Sequence, residues 1–202
     1  MALTASPFGF AARKHPSGQT RANAYTILAT YNTAIGYGDA VILATDGTIT
    51  VGTATNDIIG VFAGVQYNDS TGKPTYSKSW PGAVSGATNI IAWVYDDPDN
   101  VFEVQVAASG TGYVQAAIGD QADLVAGTVN SLTGQSAQAL SATLEGAGAQ
   151  GQFRIIAFGT DGVYDATLNP FPTVLVQIAQ HEYRANKVAV YGGLTNGRFN
   201  YA

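Results

Sequence analysis

Short apolar segments alternate along most of the chain with clusters of Gly, Asp, Asn, Ser and Pro. This pattern is typical of short strands joined by turns. The segments that predict strands are 24–29, 38–52 (as a hairpin), 58–67, 90–95, 101–106, 153–159 and 173–180. The pair Asp46-Gly47 is typical of a hairpin turn, and Val174, Val176 and Ile178 alternate with other residues as one face of a strand does.

Two further segments, 96–100 and 135–144, have less regular patterns. The strands at 90–95 and 101–106 flank the acidic stretch DDPDN (96–100), which predicts a hairpin with a five-residue connection. In the second of these strands, Phe102 and Val104 are expected to face a core, with Val101 and Glu103 on a partly wet face. Residues 135–144 fit either a helix or a strand, and the alternation of apolar residues there favours a strand.

The strand pattern predicts a mainly β protein, a compact β-barrel or sandwich of about eight or nine strands. Capped apolar stretches long enough for a helix do not occur. Residues 1–24 carry two prolines and two glycines without a sustained period, so they predict an extended N-terminal arm. The β body is expected at 25–183 and a C-terminal tail at 184–202.

Composition agrees with a β protein that has large buried or interfacial areas. Of the 202 residues, 11% are charged, 24 are Gly and 11 are Tyr. Because there is no Cys, disulfides and thiolate metal sites are excluded. The sequence shows no secretory signal and no apolar run as long as a membrane span, so we expect neither membrane insertion nor export by the usual route.

The charges are unevenly distributed, although the net charge is only -5. No Lys or Arg occurs between Trp80 and Phe153, whereas both ends of the chain are basic. Either these charges form an ordinary solvated surface, or the basic ends bind an acidic partner such as a neighbouring copy. Nucleic acid is not an expected partner, because phosphate binding needs a concentrated basic face.

Candidate chemistry is sparse, which predicts a protein without enzymatic activity or a cofactor. His15 and His181 lack metal-ligand spacing, and the chain contains no nucleophile elbow or P-loop. A Ser-His-acid set around His181 remains an alternative, because such sets are defined in space. Asp96, Asp97, Asp99 and Asn100 offer oxygen ligands for Ca²⁺, but these residue types are also typical of turns, and we favour the turn.

Aromatic residues are the other candidates for a binding surface. They are Tyr67, Tyr76, Trp80, Trp93 and Tyr95. Such residues could stack on sugars, but they more often belong to a core or to an oligomer interface. We therefore predict an oligomer interface that includes Tyr67, Tyr76 and Trp80.

Four blocks of the sequence resemble virion proteins of tailed phages that are described as structural, head-decoration or cement proteins. The blocks are GDAVILATDG…DIIGVFAGVQY, YSKSWP…AWVYDDPDNVFEVQ, IGDQADLVAGT and FRIIAFG…TVLVQIAQHEY, within residues 35–183. The first block also resembles the opening of small head-stabilising proteins with a β-tulip-like barrel. The resemblance implies a homotrimer on the outer surface of a capsid, where it bridges subunits of the major capsid protein without a cofactor or catalytic residues.

In such a protein the N-terminal arm is expected to be the main capsid-binding element and to be mobile when free. Its candidate contact residues are two aromatic and three basic side chains, Phe8, Phe10, Arg13, Lys14 and Arg21. The alternative function is a carbohydrate-binding β module of a phage tail or adhesin, in which exposed Trp and Tyr rings bind the sugar.

Overall fold

The computed structural model describes residues 5–107, 113–146, 148–159 and 170–184, and their regular structure is almost entirely β. The strands are β1 (Ala11–Lys14), β2 (Asn23–Tyr25), β3 (Ala40–Leu43), β4 (Ile49–Val51), β5 (Gly60–Asn68), β6 (Pro74–Ser77), β7 (Thr88–Tyr95), β8 (Val101–Gln105), β9 (Gln121–Ala122), β10 (Leu124–Val125), β11 (Ala139–Leu140), β12 (Phe153–Phe158) and β13 (Thr173–Ile178). One 3-10 turn spans Gln115–Ala117. The prediction of a mainly β protein is confirmed, and none of the described helical residues forms a helix long and apolar enough to cross a membrane.

The first sheet is antiparallel and has the strand order β1-β8-β13-β12-β9. Val174 pairs with Val104 and Val176 pairs with Phe102, so their side chains share one face. This face is buried, and Val174, Val176 and Ile178 are at most 1% exposed. The alternation predicted for 173–180 is confirmed.

The second sheet has the order β2-β7-β5-β3-β4, with β6 also paired to β5. The predicted hairpin at 38–52 is present as β3 and β4. Its turn is closed by a hydrogen bond from the Ala44 amide to the Thr48 carbonyl, 2.7 Å. Gly47 lies in the left-handed region with φ +81°, which explains why glycine follows Asp46.

Two clusters of buried side chains hold the fold together. The first lies between the sheets, where Phe102, Val174 and Phe153 of the first sheet meet Ala40 and Val61 of the second. The second covers the opposite face of the second sheet and is closed by side chains from loop segments, Ile27, Ile35 and Trp80. The arrangement is sandwich-like, and the described strands do not close into a barrel.

The predicted hairpin around 96–100 is wrong. Strand β7 belongs to the second sheet and β8 to the first, so residues 96–100 cross between the sheets. We call this segment the crossing. The prediction of a partly wet face on β8 is wrong for Val101 and Glu103, which are 4% and 2% exposed, whereas Gln105 on the same face is half-buried. Strand β8 lies between β1 and β13, which a local sequence pattern cannot reveal.

The N-terminal segment, predicted as an extended arm that is mobile when free, is extended but in part paired with the body. Residues 11–14 form β1, the edge strand of the first sheet, where Ala11 pairs with Glu103. Phe10 is 1% exposed and stacks on Phe153 with ring centroids 4.4 Å apart. Residues 1–4 and the predicted tail beyond Arg184 lie outside the described residues.

Two other predicted strands are shorter than expected. The segment 24–29 contributes only its start to β2, because the chain then turns to bury Ile27 in the second cluster. The segment 135–144 contributes only β11, a two-residue strand paired with β10.

Candidate functional site

Polar side chains from distant parts of the chain gather at the crossing. Its first residue, Asp96, is 7% exposed. The Asn23 amide donates a hydrogen bond to one oxygen of its carboxylate, 2.8 Å, and the Tyr25 hydroxyl donates to the other, 2.6 Å. Burial, reinforced by the contact with Asp96, raises the pKa of the Tyr25 phenol above its ordinary value. Strand β2 is thereby fixed to the start of the crossing.

The next acidic residues of the crossing meet a histidine from the N-terminal segment. The imidazole Nε2 of His15 lies 3.2 Å from Oδ1 of Asp97. The Asp99 amide donates to the same oxygen, 2.9 Å, and this bond is the main reason why the pKa of Asp97 lies below its ordinary value. One ligand atom each from His15, Asp97 and Asp99 lies within 4.8 Å of the others. Sequence spacing could not have predicted this group.

The second histidine is enclosed at the same end of the sandwich. His181 is 0% exposed, and its Nδ1 accepts a hydrogen bond from the Tyr183 amide, 3.1 Å. Burial lowers the pKa of His181 to about 4, opposed by the nearby backbone carbonyl of Asp96. Within the described residues no Ser or Thr hydroxyl bonds to this ring. The Ser-His-acid alternative therefore gains no support from the geometry.

The basic residues of the N-terminal segment divide into two groups. Arg13 forms an ion pair with the buried carboxylate of Glu103 in the same chain. Lys14 and Arg21 are exposed, and Phe8 is half-buried. Arg13 of the basic N-terminal segment thus binds an acidic residue of its own chain, an outcome that neither of the two alternatives drawn from the sequence had named.

Two of the three aromatic residues expected at an oligomer interface belong to the core. Trp80 is 0% and Tyr67 8% exposed, and their rings meet edge to face with centroids 5.5 Å apart. The Trp80 indole N–H donates to the Tyr31 carbonyl, 3.0 Å. Because the protomer itself buries these rings, of the three only Tyr76, at 75% exposed, is open to a partner.

Tyr76 and Trp93 are exposed on the side of the second sheet that faces the first cluster, against which Tyr95, two positions after Trp93, packs. Tyr76 pairs with Gln66, and Gln66 pairs with Ile91, so these three side chains lie on one face. Trp93 lies two positions after Ile91, on the same face, and is 40% exposed. We call these four residues the aromatic face. The sequence named both rings but not which of the five aromatic candidates would be exposed.

A buried carboxyl group that the sequence did not reveal lies beside a cavity. Asp39 accepts hydrogen bonds from the Ser136 hydroxyl and from the Gly36 amide, the latter at 2.6 Å. Burial raises its pKa to about 6, against the lowering effect of both hydrogen bonds. The cavity has a volume of about 560 Å³ and is also lined by Asn32, Thr128 and other residues. Asp39 joins the turn before β3 to the segment before β11.

Comparisons of the chain with protein-family models, with curated proteins and with solved structures found no match. A functional interpretation therefore depends on the chain's own surfaces. Two such surfaces are described above: the aromatic face, formed by the neighbouring strands β5, β6 and β7, and the polar group at the crossing.

Proposed function

We propose that the protein is a virion structural protein that decorates and stabilises a phage capsid, as a homotrimer that bridges subunits of the major capsid protein. The observation that carries the proposal is the aromatic face. Tyr76 and Trp93 are exposed on one side of a sheet whose opposite side is buried. Exposed Tyr and Trp are enriched at protein interfaces, where they contribute most of the binding energy.

In view of the structure, the proposed capsid contact is expected at a different part of the chain. Phe10 is part of the core, and Arg13 is paired within the chain, so neither is free for a shell subunit. The proposed contact therefore moves from the N-terminal segment to the aromatic face, with the exposed Lys14 and Arg21 as additional candidates. The resemblance of residues 35–183 to phage head proteins supports this partner, since that range includes the whole aromatic face.

The test is binding to undecorated capsids by Tyr76→Ala and Trp93→Ala variants. Each change is expected to weaken binding about tenfold or more, because truncating an interface Tyr or Trp typically costs over ~1.4 kcal/mol. Val114→Ala is the matched control, since Val114 is 43% exposed and lies beside the 3-10 turn, outside the strands that form the aromatic face. Co-sedimentation with purified capsids measures the effect. Equal binding by all three variants would refute a contact through this face.

A carbohydrate-binding module is the second candidate, and the same two rings favour it. Aromatic faces stack on the C–H faces of sugars, and Tyr76 and Trp93 lie on β6 and β7, two strand spacings or roughly 10 Å apart. A glycan array probed with the intact protein distinguishes the candidates. Binding to a glycan that Trp93→Ala abolishes, without any capsid binding, would support the module and exclude decoration.

A further inference from the structure

Three metal-ligating side chains meet where the N-terminal segment passes the crossing. His15 follows β1, whereas Asp97 and Asp99 lie between β7 and β8. The Asp96 carboxylate is already bound by Asn23 and Tyr25 and does not belong to this group. We refer to His15, Asp97 and Asp99 as the His-Asp-Asp group.

We propose that the His-Asp-Asp group binds a divalent first-row transition-metal ion of the zinc type. His15 Nε2 and Asp97 Oδ1 are 3.2 Å apart. Two ligands of a tetrahedral ion with ~2.0 Å bonds lie ~3.3 Å apart, so this pair already has the separation that coordination requires. Asp99 is within 4.8 Å and is exposed, so a change of its side-chain rotamer brings it closer.

The ligand types decide which class of ion is favoured. Imidazole nitrogen suits zinc, copper, nickel and related ions, whereas Ca²⁺ and Mg²⁺ take oxygen ligands almost exclusively. One imidazole and two carboxylates therefore favour Zn²⁺ over Ca²⁺, the ion considered for the acidic stretch when its sequence was interpreted as a turn. Three protein ligands leave a coordination position for water.

The side chain behind His15 can orient the ring for this role. In this structure the Ser17 backbone N–H donates a hydrogen bond to Nδ1, 3.0 Å, so the ring proton lies on Nε2, and the Ser17 hydroxyl lies 2.6 Å from Nδ1. With an ion on Nε2, the proton lies on Nδ1 and is donated to the Ser17 hydroxyl, and the exposed backbone N–H turns to water. A hydrogen bond to the second ring nitrogen is the usual support of a metal-binding histidine.

Unsatisfied polar atoms at the same place are an independent observation. Among the described residues, five buried side-chain atoms lack a hydrogen-bond partner, and four of them belong to His15, Asn100 and His181. His15 Nε2 lies 3.2 Å from Asp97 Oδ1, so the observation that is independent of the His-Asp-Asp group is Asn100. Asn100, the last residue of the crossing, is 0% exposed, and neither its amide oxygen nor its nitrogen has a partner. Buried polar groups are normally satisfied, so the Asn100 side chain is expected to take a further polar partner at the crossing, either a water molecule or a bound species.

Titration of the full-length protein with ZnCl₂ tests the proposal. The chain has only two histidines, so ¹⁵N-detected imidazole spectra resolve each ring. Zn²⁺ is expected to shift the Nε2 signal of His15 and to leave that of His181 unchanged, with one ion bound per chain by calorimetry. Ca²⁺ at the same concentration should leave both rings unchanged.

Variants of each ligand separate coordination from a surface charge effect. His15→Gln, Asp97→Asn and Asp99→Asn are each expected to weaken Zn²⁺ binding at least tenfold. Asp46→Asn is the matched control, since Asp46 is also an exposed turn carboxylate that bonds its own turn, and it should bind Zn²⁺ as the wild type does. Circular dichroism verifies that each variant folds. An unchanged His15 signal, or full affinity in His15→Gln, would overturn the proposal.

Discussion

Replacing Phe10 by alanine is expected to lower the free energy of unfolding by about 3–5 kcal/mol, the usual loss for a fully buried phenylalanine. The ring lies in the cluster between the sheets and stacks on Phe153. Its removal leaves a cavity at the site where β1 joins the sheet. Chemical denaturation monitored by circular dichroism measures the loss.

The neighbouring aromatic residue provides the control for this experiment. Phe8 is half-buried and lies outside both core clusters, so Phe8→Ala should cost clearly less than Phe10→Ala. Similar small losses in both variants would mean that the N-terminal segment is not part of the core. Deleting residues 1–24 would remove Phe10 as well, so that truncation tests folding before it tests binding.

The second large effect concerns how the stability of the protein depends on pH. Asp39 and His181 make opposite contributions, which nearly cancel in the wild-type protein. The folded protein retains a proton on Asp39 up to a pKa of about 6, against an ordinary value of 3.8. Raising the pH from about 4 to 6 therefore lowers stability, by about 3 kcal/mol in total. The pKa of His181 is lowered from 6.5 to about 4, so lowering the pH through this range lowers stability by a similar amount.

Single variants should reveal each contribution. Asn at position 39 can accept from the Gly36 amide and donate to the Ser136 hydroxyl, so Asp39→Asn should preserve the local structure. In this variant stability is expected to fall between pH 7 and 4.5, because only the His181 contribution remains. In His181→Asn, whose side-chain oxygen can accept from the Tyr183 amide, stability should rise over the same range.

Denaturant unfolding at several pH values in EDTA measures these profiles, with the chelator present to prevent any ion from binding near the crossing. The double variant is the control and should again show little pH dependence between 4.5 and 7. If the stability of Asp39→Asn depends on pH as that of the wild type does, then Asp39 is ionised in the folded protein throughout this range. That result would contradict the effect of burial on its pKa.

The parts of the fold that could be predicted from the sequence are those set by local chemistry. The hairpin of β3 and β4 follows from Asp46-Gly47, and β13 follows from the alternation of Val174, Val176 and Ile178. Each depends on residues within about ten positions of one another. Turn geometry and side-chain alternation operate over that distance.

The parts that could not be predicted depend on pairing across the whole chain. A turn rich in Asp and Asn fits a hairpin and a connection between two sheets equally well. Residues 96–100 connect two sheets because the strand that follows them, β8, pairs with β1 and β13 and not with β7. The same applies to the binding surfaces. Trp80 follows the polar segment YSKS and Trp93 lies in the apolar strand segment IIAWVY, yet Trp80 is buried in the second cluster and Trp93 is 40% exposed. His15 approaches Asp97 only because β1 pairs with β8.

The strand order of the first sheet has a consequence for how the chain folds during synthesis. All strands of the second sheet lie within residues 23–95, so that sheet can form before β8 has been made. Strand β1 is synthesised first, yet its partner begins at Val101. At a synthesis rate of ~5–20 residues per second, β1 has no partner strand for roughly 5–20 s after it has been made. The apolar inner face of the second sheet stays uncovered for longer, until β12 and β13 of the first sheet have been made, so nascent chains on neighbouring ribosomes can associate, and a chaperone that shields Phe10 and Val61 should increase the yield of folded protein.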